Sequence, residues 1–198
     1  MLRVALTGGI ATGKSHVRAR FEALGAPTID SDLLARKAVA PGTAGLRAVV
    51  DRFGDRVLDA TGALDRRRLG AVVFVDAAAR RDLESIVHPF VRDETERWFA
   101  GLAERGEPLG IADIPLLYEV GRERDFDVVV VAACEPATQL ARVMSRDQVS
   151  EAEARQRIAA QLPIEEKVRR GDYVISTQGA VDETNRRVDD VYLALAAR

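Results

Sequence analysis

Short apolar runs alternate with amphipathic segments along the chain. The runs fall at residues 2–7, 27–29, 108–113, 126–132 and 173–175. Strands buried on both faces of a sheet appear as continuous apolar runs, whereas half-exposed strands alternate. Because helical segments separate the runs, the pattern predicts an α/β fold, a doubly wound five-stranded parallel sheet.

Helical spacing marks the segments between the strands. After the first run, Val17, Phe21 and Leu24 form a stripe that stops at Gly25, as expected for a helix packed on the sheet. Ser150 and Glu153 have the spacing of a capping box. The closing helix is predicted from the stripe Val188, Val191, Tyr192 and Leu195.

Residues 33–105 form a long and mostly helical region. The residue before a proline is displaced from helical angles, so His88-Pro89 predicts a helix break, with a structural role favoured for His88. Further breaks are predicted at Pro41-Gly42, Phe53-Gly54 and Thr61-Gly62.

A glycine-rich segment joins the first predicted strand to the first helix. Residues 8–15 have the spacing G-x-x-x-x-G-K-S, in which backbone N–H groups cradle phosphates, the lysine reaches the β- and γ-phosphates, and the hydroxyl ligates Mg²⁺. A turn without a ligand is the alternative, but the strand before it and the helix after it favour nucleotide binding. The following residue, His16, either touches the α-phosphate or faces water.

Acidic residues follow the second and third strands. In open parallel sheets, ligands bind at the carboxyl ends of the strands, so Asp30, Asp32 and Asp113 are expected in one crevice with the phosphate loop. Asp113 is the candidate Mg²⁺ ligand, with Asp30 as competitor and a helix cap before Pro115 as the alternative. Asp32 is either a base that accepts a hydroxyl proton, or a cap, since Ser31 or Asp32 can start the next helix.

Arginines follow the strongest strand. Arg142 and Arg146 are candidates for neutralising charge on the transferred group, whereas Arg155 is expected to be exposed and paired with a glutamate.

The net charge of −2 gives no indication of a nucleic-acid or membrane surface. The lone Cys134 excludes an internal disulfide and is expected in the core, and no signal peptide is recognisable, so a cytoplasmic protein is predicted.

These segments together resemble the dephospho-coenzyme A kinase family. The resemblance spans the chain and includes LTGGIATGKS, IDSDLLAR, LDRRRLGAVVF, HP, DIPLLYE, RVMSRD, IAAQ and DYVI, in that order. It implies a P-loop kinase that uses MgATP to phosphorylate the ribose 3'-hydroxyl of dephospho-coenzyme A, the last step of coenzyme A biosynthesis. No obligate protein partner is inferred.

The resemblance also implies roles for individual segments. A nucleotide-binding core is expected at residues 1–35, 106–140 and 171–198, a helical acceptor lobe at 36–105 and a lid at 141–170. ATP is expected to contact Gly8, Gly9, Ile10, Ala11, Thr12, Gly13, Lys14, Ser15, His16 and Thr177, with Ser15 and Asp113 on the metal. Catalysis is assigned to Asp32, Lys14, Arg142 and Arg146, and acceptor binding to Asp32, Arg66, His88, Leu116, Leu117 and Glu119.

Three positions depart from the family pattern. Ala11 stands where a glycine is frequent, His16 where a threonine is usual, and Thr177 where an asparagine near the adenine is common. These departures bear on nucleotide affinity and base preference.

Two other functions remain open at this point: a kinase of a nucleoside monophosphate or another small metabolite, and a nucleotide-dependent regulatory module, although no guanine-reading Asn-Lys-x-Asp element is present.

Overall fold

A computed structural model describes residues 1–198 and contains a five-stranded sheet in the order β2-β3-β1-β4-β5. Strand β1 pairs in parallel with β3 on one side and with β4 on the other, and β4 pairs in parallel with β5. The strands are β1 (Leu2–Gly8), β2 (Thr28–Asp30), β3 (Leu109–Asp113), β4 (Val128–Ala133) and β5 (Tyr173–Ser176). The predicted doubly wound parallel fold is confirmed.

The chain contains nine helices. They are α1 (Lys14–Ala23), α2 (Ser31–Ala38), α3 (Ala44–Phe53), α4 (Arg66–Val73), α5 (Ala77–Glu104), α6 (Pro136–Asp147), α7 (Glu151–Ala159), α8 (Ile164–Arg170) and α9 (Val181–Ala196). Short 3₁₀ turns lie at Asp55–Val57 and Glu123–Asp125. None of the helices combines the length and the apolar content that crossing a membrane requires.

The chain divides into two compact units. The first contains Met1–Ile29 and Phe99–Arg198, and the second is Asp30–Trp98. Each unit has a core of its own, because separate groups of apolar side chains are removed from water in each. In the first unit this core includes Val4, Leu6, Val130, Ile175 and Val188.

Helices α1 and α9 pack together in the first unit. Val17 and Phe21, from the predicted stripe of α1, are fully buried, and the rings of Phe21 and Tyr192 are 6.5 Å apart. Arg20 donates two hydrogen bonds of 2.7 Å to the carboxylate of Asp189. These contacts hold the helix that follows the phosphate loop against the rest of the unit.

Residues 33–105, which include most of the second unit, are mostly helical, as predicted, but one predicted break is wrong. Helix α5 continues through Pro89, although proline removes one backbone hydrogen bond and crowds the preceding turn. Ile86, Val87 and Phe90 pack on the core of this unit. The packing of these partly buried neighbours on both sides of Pro89 favours a continuous helix over a break.

Candidate active site

The phosphate loop ends in a helix whose first N–H groups have no side-chain partner. Gly13 precedes α1 with a left-handed φ of 83°, and neither a capping side chain nor an acidic residue lies in the first turn of the helix. The first N–H groups of a helix need a partner from outside the helix, and together with the helix dipole they attract anions. This end of α1 is therefore suited to a phosphate.

Ala11 has a left-handed φ of 57° within the loop. An L-residue other than glycine adopts this conformation at a cost of roughly 1–2 kcal/mol. The loop therefore keeps a turn at this position that glycine, frequent in the family pattern, would adopt without that cost.

Two glutamines hold the loop from outside it. Ile10 donates its N–H to Oε1 of Gln161 at 2.7 Å, and its carbonyl accepts from Nε2 of Gln139 at 2.9 Å. Within the loop, the buried Thr12 donates its hydroxyl to the carbonyl of Gly9 at 2.9 Å. The loop backbone is thus fixed before a nucleotide arrives, which lowers the entropic cost of binding.

Gly8 has no room for a side chain. A Cβ at this position would lie 2.6 Å from the carbonyl oxygen of Ala132 and 2.7 Å from Oγ1 of Thr12. Overpacking of this kind typically costs about 1–3 kcal/mol. We expect Gly8→Ala to lower the melting temperature and to weaken MgADP binding, measured by thermal unfolding and by calorimetry.

Gly101→Ala is the matched control for Gly8→Ala. Gly101 lies within α5, and a Cβ there would meet only the end of the Arg105 side chain at 3.4 Å. Alanine in a helix is favoured over glycine by roughly 0.5–1 kcal/mol, so this variant should be as stable as the parent or more so. Equal effects of the two substitutions would contradict the steric account of Gly8.

Lys14 and Asp113 form an ion pair beside the loop. Asp113 is 2% exposed and ends β3, where it is in register with Leu6 of β1. Nη1 of Arg18 approaches the second carboxylate oxygen at 3.4 Å. No helix begins after Asp113, since the next regular segment is the turn at Glu123–Asp125. The alternative of a helix cap is therefore wrong.

Thr177 is hydrogen-bonded both to the loop and to Arg142. The Thr177 hydroxyl donates to the carbonyl of Thr12 at 2.7 Å, and Arg142 donates to the Thr177 hydroxyl at 3.1 Å and to its carbonyl at 2.9 Å. Thr177 is buried, so it supports the loop backbone from the interior of the unit. Neighbouring Cys134 is buried as predicted, and burial raises the pKa of its thiol.

His16 and Arg146 are exposed on the same unit. The His16 ring contacts Oδ1 of Asn185 at 2.9 Å. Arg146 binds the carboxylate of Asp147, with Nε 2.7 Å from Oδ1, and this hydrogen bond raises the pKa of Arg146. Arg155 pairs with Glu151 on an exposed helix face, as predicted.

The segment DIPLLYE divides into exposed and enclosed side chains. Leu116 is 42% exposed, whereas Leu117 is fully buried. Leu117 therefore packs inside the unit in this structure, which corrects its assignment to an acceptor-binding surface. Glu119 binds Lys167 at 2.8 Å and accepts from the N–H of Leu162 at 2.9 Å.

Helix α2 begins with an aspartate cap. Oδ1 of Asp30 accepts from the N–H groups of Asp32 and Leu33 at 2.8 and 3.2 Å, so the cap is Asp30 rather than Ser31 or Asp32. Asp30 suits this role because the preceding strand leaves it extended, so that its short carboxylate reaches the orphan N–H groups. Asp32 lies in the first turn with an exposed side chain.

The other acceptor-binding candidates belong to the second unit as well. Arg66 begins α4 and His88 lies in the middle of α5, and both are exposed. Asp32, Arg66 and His88 therefore offer one carboxylate, one guanidinium and one imidazole to solvent on this unit.

Comparison with known proteins decides the family. The family model described as "CoaE: Dephospho-CoA kinase" matches residues 2–183. The dephospho-CoA kinase of Geobacter sulfurreducens is 46% identical over 189 residues, 96% of this chain and 96% of that protein. This chain belongs to the dephospho-CoA kinase family. The relative from Anaeromyxobacter dehalogenans is 50% identical, with 94% of this chain and 88% of that protein covered.

Solved structures share the fold of this dephospho-CoA kinase family member. The crystal structure of TT1252 from Thermus thermophilus superposes with a TM-score of 0.84 at 33% identity, covering 98% of this chain and 96% of that one. Dephospho-CoA kinase from Campylobacter jejuni gives 0.66 at 25% identity, with coverage of 99% and 98%. Shikimate kinase from Aquifex aeolicus, at 14% identity, a TM-score of 0.53 and coverage of 99% and 98%, shares the fold alone.

Sequence reasoning missed several side chains that hold the loop. Gln139, Gln161 and Lys167 contact the backbone of Gly8 or Ile10 from 129 to 159 residues away in the chain. One signal for Lys167 was present, because the chain has only three lysines, at 14, 37 and 167, beside many arginines.

Proposed function

We propose that this chain transfers the γ-phosphoryl group of ATP to the ribose 3'-hydroxyl of dephospho-coenzyme A and thereby forms coenzyme A. Its membership of the dephospho-CoA kinase family over residues 2–183 carries this proposal. The uncapped start of α1 after a glycine-rich loop supports it, because such a site is suited to the phosphates of ATP. The proposal includes a cytoplasmic location, which fits a chain with one free, buried cysteine.

The donor nucleotide is proposed to bind along residues 8–16. Loop N–H groups would hold the phosphates, and Lys14 would leave Asp113 to contact the β- and γ-phosphates. Arg142, already fixed beside the loop through Thr177, would border the nucleotide, and the exposed Arg146 would approach the transferred group. In this assignment Thr177 contributes indirectly, because it holds the loop and Arg142 in place.

Ser15 and Asp113 fit a magnesium site. Mg²⁺ prefers oxygen ligands and is commonly held by one or two protein groups together with phosphates and water. The hydroxyl of Ser15 and the carboxylate of Asp113 supply such oxygens, and no group of three or more His, Cys, Asp or Glu side chains is arranged to hold a metal. When bound, Mg²⁺ would neutralise charge on the phosphates.

The second unit is proposed to be the acceptor lobe. Asp32 would accept the proton of the ribose hydroxyl as that oxygen attacks the γ-phosphorus. Arg66 would bind an anionic group of the acceptor, and His88 would donate or accept a hydrogen bond. The exposure of all three side chains supports this assignment, because each is available to a ligand. Residues 141–170 are proposed to form the lid.

An acceptor panel tests the proposed reaction. The protein is incubated with MgATP and one acceptor at a time: dephospho-coenzyme A, a nucleoside monophosphate or shikimate. ADP release should depend on dephospho-coenzyme A alone. Phosphorylation of a different acceptor would replace the proposed substrate, and binding of ATP without any acceptor-dependent ADP would favour a regulatory module.

A further inference from the structure

Lys167 is a fully buried lysine next to the phosphate loop. Its side chain is 0% exposed, although it carries an ammonium group. Lysine is almost never fully buried unless its charge is paired. The ammonium of Lys167 donates to Pro115 O at 2.9 Å and to Glu119 Oε1 at 2.8 Å, and lies 3.4 Å from Gly8 O.

These oxygens come from segments that the proposed reaction needs in a fixed arrangement. Gly8 ends β1 and opens the phosphate loop, and Pro115 lies two residues after Asp113, the proposed metal ligand. Glu119 also accepts from the N–H of Leu162, next to Gln161, which binds the loop at Ile10. Lys167 therefore links the start of the phosphate loop to the segment that follows Asp113.

Charge supports the same arrangement. Burial lowers the pKa of Lys167, Glu119 opposes this shift, and the nearby charge of Lys14 adds to the lowering. Glu119, at 2.8 Å, therefore compensates the charge of the buried ammonium. Breaking a buried pair leaves one uncompensated charge, whereas replacing both members with neutral groups can be nearly neutral for stability.

We propose that Lys167 is a positioning residue for the phosphate loop, with Glu119 as its counter-ion. Its ammonium fixes the carbonyl of Gly8 relative to that of Pro115, so that the loop N–H groups and Asp113 meet the same nucleotide. Lys167 touches neither substrate and takes no part in proton transfer. This inference rests on the proposed kinase function, because ATP is the ligand that the loop positions.

Lys167→Met tests the role, since methionine has a similar length and no donor. KM for ATP should rise roughly 10-fold or more, because a misplaced loop loses oriented contacts. KM for dephospho-coenzyme A should stay within about twofold, because the change lies on the donor side. Arg124→Met is the control, because Arg124 is an exposed arginine of the turn at Glu123–Asp125, outside the proposed lid. It should leave both KM values unchanged.

The double variant Lys167→Met/Glu119→Gln separates positioning from stability. Glutamine keeps an oxygen for the N–H of Leu162 and removes the unpaired charge, so the melting temperature should recover relative to Lys167→Met. KM for ATP should remain raised, because the Gly8 carbonyl still lacks its donor. If Lys167→Met alone folds poorly, the double variant provides the test.

Wild-type KM for ATP in Lys167→Met would overturn the inference. Recovery of KM for ATP in the double variant would also overturn it, since the role would then be stability alone. Failure of the proposed kinase function can be told apart from failure of this inference, because the wild-type protein itself would then leave dephospho-coenzyme A unmodified.

Discussion

Replacement of Asp32 by asparagine should reduce kcat by roughly 10²–10⁴-fold, the range that general acid–base groups contribute. Asparagine has nearly the same shape but cannot take the proton of the attacking hydroxyl. KM for ATP should change little, because Asp32 is proposed to act on the acceptor. Steady-state kinetics with each substrate varied in turn gives both values.

Asp51→Asn is the matched control for Asp32→Asn. Asp51 is another exposed aspartate of the second unit, on α3, and its replacement should leave kcat unchanged. Asp32 also lies in the first turn of α2, where a negative charge stabilises a helix by about 0.3–1 kcal/mol. A small loss of stability with wild-type kcat would therefore show that Asp32 serves the helix and not the reaction.

Lys14→Met should lower kcat by roughly 10²–10³-fold, the effect of removing one group that stabilises transition-state charge. The lysine ammonium is proposed to bridge β- and γ-phosphate oxygens while negative charge moves toward the leaving ADP. KM for ATP should also rise, because the same group binds the phosphates before reaction. Kinetics and calorimetry with MgADP measure the two effects separately.

Lys14→Met also removes one ion pair of the buried Asp113, whereas its contact with Arg18 at 3.4 Å remains. Thermal unfolding is therefore measured beside the kinetics. Lys37→Met is the matched control, since Lys37 is an exposed lysine in the last turn of α2. Lys14→Met with near wild-type kcat and MgADP affinity would contradict the assignment of the loop to the triphosphate.

The order of strands and helices was predictable because burial leaves a local pattern. The run of valines in β4 lies inside the sheet, between β1 and β5, and is buried at every position. The phosphate loop was predictable for a similar reason, since its glycines and Lys14 are adjacent in the chain. The capping box at Ser150 and Glu153 was also confirmed, because its contacts span three residues.

Features that depend on distant partners were not predictable in this way. Pro89 lies within a helix because Ile86, Val87 and Phe90 are packed, and the local signal alone predicted a break. Lys167 and Gln139 meet the phosphate loop only after α6 and α8 have folded onto the sheet. No local pattern encodes that proximity, although the rarity of lysine in the chain was a usable signal.

The most direct measurement locates the transferred phosphoryl group. Dephospho-coenzyme A is incubated with the protein and MgATP labelled in the γ-phosphoryl group, and the product is analysed by phosphorus NMR and fragmentation mass spectrometry. The label should be found on the ribose 3'-oxygen, in a product identical to coenzyme A. Label on any other acceptor atom, or only in inorganic phosphate, would contradict the proposed reaction.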